Sequence, residues 1–169
     1  LVGSEMCIRD RAYHRWFINA RDPDNRGIIS IVHPWESGRD NCPDWDIGMQ
    51  NIVIPNNLER YTRRDIYHVN SNQRPTQEQY DRFITIVNFG RECNWDSQTI
   101  YSKGPFLMAD PGVQFIFLRA SRDLLAMAKY LEMDLAVDEI TGWVEKVEVG
   151  SDFLWNDLVG GYCARDLRT

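Results

Sequence analysis

The sequence predicts an all-α fold: long helices in antiparallel pairs, joined by elaborate loops. Three observations carry that expectation. In RPTQEQYDRFITIVNFGREC (74–93), Thr76 and Gln79 form a capping-box pattern, and Tyr80, Phe83, Ile84 and Val87 recur at helical spacing. Asp110 followed by Pro111 is a helix start, with Asp as the N-cap and Pro at the first helical position. Ile140, Trp143, Val144 and Val147 mark a third helical stripe.

Taken in order, Ala12 to Ala20 reads as the end of a helix. A loop of about fifty residues follows, holding short helical turns and one extended run, GIISIV; loops that long in a compact domain are usually functional. The capping-box helix then runs to Arg91–Cys93. The Asp110 helix shows an apolar face of Val113, Ile116, Phe117, Ala120, Leu124 and Leu131, about five turns. The third helix is expected to continue to Leu154–Trp155, with Gly160–Gly161 breaking it before a short extended piece.

The first eleven residues, LVGSEMCIRDR, stand apart. They carry no apolar periodicity and no cap, and they lack the basic start and apolar core of a signal peptide. They resemble an in-frame translation of a transposon sequencing adapter. Residues 1–11 are therefore expected to be non-biological, and 12–169 an internal fragment of one catalytic domain.

Bulk properties exclude several classes. The chain of 169 residues carries a formal net charge of −6, the wrong sign for nucleic-acid binding. No apolar run approaches the roughly 18–20 residues of a membrane span. Cys42, Cys93 and Cys163 are widely spaced, neither a disulfide framework nor a CxxC metal site, which favours the reducing cytoplasm. No cofactor is implied. Asp22-x-Asp24-x-Arg26-Gly27 mimics the start of a calcium loop, but Arg26 and His33 stand where oxygen ligands are needed, so a turn is expected. His14, His33 and His68 lie far apart, and one His among scattered carboxylates makes a weak metal site; none is expected.

The chemistry concentrates in HPWESGRDNCPDWD (33–46). Trp35 and Trp45 flank Glu36, Asp40, Asp44 and Asp46. Aromatic rings stack on pyranose faces, and carboxyl groups protonate a leaving oxygen or activate water. The alternative is an acidic loop whose Asp residues cap helices and pair with nearby Arg, with the tryptophans as core anchors.

That stretch resembles the loop of the (α/α)6-barrel glycosidases related to mannosylglycerate and glucosylglycerate hydrolases, whose usual form is HPWESG-x-DNSP-x-WD. RDPDNRGIISIV, RRDIYHV, RPTQEQYDR, ADPGVQFIFLRASRDLL and GGYCARDLRT resemble the same family in the same order, from Ala12 to Thr169. The resemblance implies part of an (α/α)6 barrel with long active-site loops, and an inverting α-glycoside hydrolase for a small charged glycoside. Asp40 matches the general acid, Trp35 and Gly38 match contacts to the sugar in subsite −1, and Arg74 and Tyr80 match residues that hold glycerate. An inverting acid must stay protonated near neutral pH, which calls for burial and a facing carboxylate. Arg74 offers a planar fork for a substrate carboxylate; its bland alternative is a salt bridge to Glu78 or Asp81. Glu36 lies too close to Asp40 in sequence to face it across a sugar, so a structural role bonding loop backbone is expected. Arg39 replaces the family's Leu or Met and is expected to point away from Asp40, and Cys42 replaces Ser. The family's general base, a Glu on a later loop, has no counterpart here, so the fragment alone is expected to be inactive. A glucosidase of another linkage and a non-catalytic helical sugar-binding protein are the competing readings. Oligomeric state is not legible.

Overall fold

The computed structural model describes residues 2–67 and 69–169, which form two compact units. Unit 1 comprises residues up to Ile31 together with Ala109–Arg165, and unit 2 comprises Val32–Met108 with Asp166–Thr169. His68 lies outside the described residues.

Unit 1 is built from three long helices, α1 (Val2–Arg21), α5 (Pro111–Tyr130) and α6 (Asp134–Ser151). α5 starts where the sequence places it: the Asp110 carboxylate accepts the Val113 N–H at 3.0 Å, satisfying one orphan amide of the first turn. α5 and α6 are joined at Leu131–Met133, where Glu132 takes a positive φ. Their shared core holds Phe117, Leu118, Leu124, Ala136, Ile140 and Val147. The buried face of α5 differs from the expected one, because Ile116 is 70% exposed while Gln114 and Ser121 are fully buried. Gln114 explains the rotation. Its Oε1 accepts the Ile29 N–H at 2.7 Å, and its Nε2 lies 2.8 Å from the Gly27 carbonyl and 3.1 Å from that of Val147. Gln114 is thus fully partnered, as most buried polar groups are.

α1 runs back through the boundary expected at Arg11–Ala12 without a break. Cys7 is buried in the core cluster, and Arg11 pairs with Glu139 at 3.7 Å. Helix propensity and one well-placed small apolar residue suffice to extend a helix already anchored at its other end. The expected calcium-loop mimic is a turn: Asp22 accepts the Arg26 N–H at 2.8 Å and the Gly27 N–H at 2.7 Å. α6 ends earlier than its sequence suggests. A 3-10 turn at Asp152–Leu154 leads into β3 (Trp155–Asn156), which pairs antiparallel with β4 (Gly161–Tyr162). The aromatic pair Trp155 and Tyr162 sits across this hairpin at 5.1 Å between ring centroids, so Trp155 belongs to a strand rather than the helix end.

Unit 2 carries α2 (Asp46–Gln50), α3 (Gln77–Glu92) and α4 (Ser97–Lys103). The capping box at Thr76 is complete, with Thr76 Oγ1 accepting the Gln79 N–H and Gln79 Oε1 accepting the Thr76 N–H. α4 went unread in the sequence; Asp96 caps it by accepting the Thr99 N–H at 2.8 Å. Short strands β1 (Ser30–Ile31), β2 (Met108–Ala109) and β5 (Arg165–Asp166) lie where the chain passes from one unit to the other. Only Ser30–Ile31 of the GIISIV run is strand. The long loop from Val32 to Gln73 and helix α3 together position the candidate site, entirely within unit 2.

Candidate active site

The site begins with a 3-10 turn at Pro34–Ser37. His33 caps it: Nδ1 accepts the Trp35 N–H at 3.0 Å, while Nε2 stands 3.1 Å from the Phe83 carbonyl. A carbonyl only accepts, so Nε2 carries the proton and the neutral tautomer is fixed. Burial pushes the His33 pKa down, opposed first by the Phe83 carbonyl bond. Gly38 closes the turn at φ 67°, the left-handed region that Gly enters without strain. A Cβ built there meets nothing within 4 Å, so open space lies in front of it. Glu36 turns back to accept the Val32 N–H at 2.9 Å, the backbone-bonding role expected of it.

The two tryptophans part company. Trp45 is 1% exposed and donates its indole N–H to the Arg39 carbonyl at 3.0 Å; it anchors the loop. Trp35 is 43% exposed. It belongs to an aromatic cluster with His33, Tyr80 and Phe83, its ring centroid 6.1 Å from Tyr80 and 5.8 Å from Phe83. Trp35 and Tyr80 are therefore neighbours.

Asp40 and Arg74 form the second pair. Both line a cleft of about 230 Å³, with Asn41, Gln73, Gln79 and Phe83 among the other walls. Arg74 Nη2 lies 4.0 Å from Asp40 Oδ2, and both side chains are about a third exposed or less. Trp35, Gly38 and Tyr80 are not walls of this cleft; Phe83 joins the two groups, since it lines the cleft and packs against Trp35 and Tyr80. Neither alternative salt bridge of Arg74, to Glu78 or to Asp81, forms; its ion pairs are with Asp40 and Asp65. Glu78 pairs with Arg82 at 2.7 Å, and Asp81 accepts from Tyr61 and Gln77. Arg39, the residue beside the acid, lies over the Trp45 ring and reaches Asp44 at 3.5 Å.

Sequence reasoning missed a layer behind these residues. Tyr61 stacks on Tyr80 at 5.5 Å, the Arg63 guanidinium covers the Tyr80 ring at 4.4 Å, and Asp65 binds both Arg63 and Arg74. The Tyr61 hydroxyl donates to Asp81, and its pKa is raised by burial and by that carboxylate. Exposure alternates along residues 61–66, the period-2 pattern of an extended segment with one face buried. That buried face holds Tyr, Arg and Asp, so hydropathy gave no signal. Among the described residues, no cluster of three or more His, Cys, Asp or Glu stands close enough to hold a metal ion.

The model of the mannosylglycerate hydrolase MGH1-like glycoside hydrolase domain matches residues 9–169. The chain belongs to that family. Mannosylglycerate hydrolase of Thermus thermophilus is 44% identical over 156 residues, 92% of this chain and 37% of that protein. Glucosylglycerate hydrolase of Mycolicibacterium hassiacum is 31% identical over 82% of this chain and 31% of its own length. Among solved structures, GH63 mannosylglycerate hydrolase from Thermus thermophilus in complex with Tris and D-glycerate superposes with a TM-score of 0.88 at 43% identity, over 92% of this chain and 37% of that one. The chain thus spans about a third of the length of its relatives. Its helices are those of the (α/α)6 fold of this family. No helix among the described residues is long and apolar enough to cross a membrane.

Proposed function

We propose that residues 12–169 are a fragment of a single catalytic domain and carry the acid half of an inverting α-glycoside hydrolase for a small charged glycoside, glucosylglycerate or mannosylglycerate. Asp40 protonates the glycosidic oxygen as its bond to the anomeric carbon breaks. Water attacks the opposite face of that carbon, giving its proton to a base supplied from outside these residues. Trp35 offers its ring to the apolar face of the sugar, and Gly38 admits the sugar closely because it has no side chain. Arg74 holds the glycerate carboxylate, with the Tyr80 hydroxyl beside it.

The observation that carries this reading is the 4.0 Å approach of Arg74 Nη2 to Asp40 Oδ2 on one cleft. In a glycoside linked through the carbon next to a carboxylate, the carboxylate and the glycosidic oxygen are near neighbours. A cation for the first must then stand beside the acid for the second. An acid and a guanidinium on separate surfaces serve no such substrate. The relatives named as mannosylglycerate and glucosylglycerate hydrolases support the same class. Cys7, Cys42, Cys93 and Cys163 are all unpaired, which suits a cytoplasmic enzyme.

The test is Asp40→Asn in the full-length enzyme. Loss of the proton donor lowers kcat by about a hundredfold or more while substrate binding, measured calorimetrically, stays near wild type. Wild-type turnover by the variant refutes the assignment. The isolated 169-residue chain is expected to hydrolyse neither glycoside; measurable hydrolysis would show that the base lies within it.

A further inference from the structure

Asp65 is nearly buried, its side chain 11% exposed. Its two oxygens grip the Arg63 guanidinium side-on, Oδ1 accepting Nε–H at 3.1 Å and Oδ2 accepting Nη2–H at 2.7 Å. Oδ2 also accepts the Arg74 Nε–H at 3.3 Å. Arg63 in turn donates to the Pro75 carbonyl at 2.9 Å, fixing the backbone next to Arg74. The Arg63 hydrogen bonds chiefly hold the Asp65 carboxyl below its usual range, with burial opposing and Arg74 adding to them, so the anchor is ionised at neutral pH.

A guanidinium presents its donors along fixed edges. With Nε held by Asp65, the Nη1/Nη2 edge of Arg74 remains as a fork on the Asp40 side, where Nη2 already lies. Two guanidiniums and one carboxylate leave one net positive charge in this group, so it still attracts an anion.

We propose that Asp65 is a positioning residue that aims Arg74 at the substrate carboxylate, with Arg63 as its brace. This rests on the reading of Arg74 given above and adds the group that makes its orientation single-valued. Arginine loses rotamer freedom when it binds; an anchor that removes that freedom beforehand lowers the cost of capture.

Positioning and simple electrostatics predict opposite signs for Asp65→Asn. Deleting a negative charge near the cleft strengthens attraction for an anion, so a purely electrostatic role lowers KM for the glycerate glycoside. A positioning role raises it, by about ten- to a hundredfold for a misplaced contact. The experiment measures kcat and KM of the full-length enzyme on its glycosylglycerate. It also measures KM, or Ki where turnover is absent, for the matching glycosylglycerol, the same glycoside with an alcohol in place of the carboxylate. The expected result is a raised KM for the glycerate substrate, little change for the glycerol analogue, and recovery in Asp65→Glu. In an Arg74→Ala background, Asp65→Asn is expected to add nothing. A lowered KM, an equal loss on both compounds, or full additivity with Arg74→Ala overturns the proposal. If Arg74→Ala leaves the preference for glycerate intact, the carboxylate assignment falls. The Arg74 Nε–H resonance then decides for Asp65: retention of its shift and exchange protection in Asp65→Asn ends the positioning role as well, whereas loss of both supports it.

Discussion

His33 Nδ1 accepts the Trp35 N–H at 3.0 Å while its other nitrogen binds the Phe83 carbonyl at 3.1 Å. One neutral imidazole thereby ties the turn bearing Trp35 and Gly38 to helix α3. Protonation at Nδ1 destroys the acceptor. The folded-state pKa of His33 is lowered from 6.5, chiefly by burial. As pH falls below about 6.5 the unfolded chain takes up a proton that the folded one refuses, and stability falls with it. Stability is therefore full above that value and declines below it, until the lowered folded pKa is reached. The urea midpoint of wild type is expected to drop between pH 7.5 and pH 5.5 more than that of His33→Asn, which keeps polarity without titrating. Parallel midpoints for the two proteins would remove His33 as the source.

The same residue shows what a sequence conceals. Thr76, Asp110 and the Asp22 turn were legible because capping is local: the donor and acceptor lie within five residues of each other. Asp40, Trp35, Gly38, Arg74 and Tyr80 are candidates by resemblance alone, and two pairings among them, Trp35 with Tyr80 and Asp40 with Arg74, appear only in three dimensions. His33 looked like a lone histidine, since its partner carbonyl lies fifty residues away. Asp65 and Arg63 gave no signal for a different reason: their partners lie only two to twelve residues away, but charged side chains carry no hydropathy pattern. The end of α6 was misjudged because Leu154 continues the apolar spacing; it is fully buried, but from a 3-10 turn rather than from the helix.

Gln114 is expected to be a stability centre of unit 1. It is fully buried and serves Ile29, Gly27, Val147 and the Ser151 hydroxyl at once. Gln114→Met keeps the volume and strands at least the Ile29 amide and the Gly27 carbonyl. At about 1–3 kcal/mol for each buried group left unmade, the expected loss for these two is about 2–6 kcal/mol. Chemical denaturation checks it, and a change below about 1 kcal/mol would mean that these groups find other partners.

Two glycines of α6 should respond in opposite directions to the same methyl group. A Cβ at Gly150 would stand 2.2 Å from the Gly27 carbonyl oxygen and 2.4 Å from its carbon. That obstacle is backbone, which no rotamer change relieves. A Cβ at Gly142, an exposed position of the same helix, meets nothing within 4 Å. Alanine gains about 1 kcal/mol over glycine in a helix interior by restricting the unfolded chain. At Gly142 that gain stands alone, so Gly142→Ala raises stability by up to about 1 kcal/mol. At Gly150 the gain is outweighed by an overlap that forces α6 and the Gly27 turn apart, and Gly150→Ala loses about 1–3 kcal/mol or more. Thermal unfolding of the two variants side by side makes the comparison. Equal shifts of one sign would show that helix propensity, rather than the close approach of Gly150 to Gly27, governs this helix.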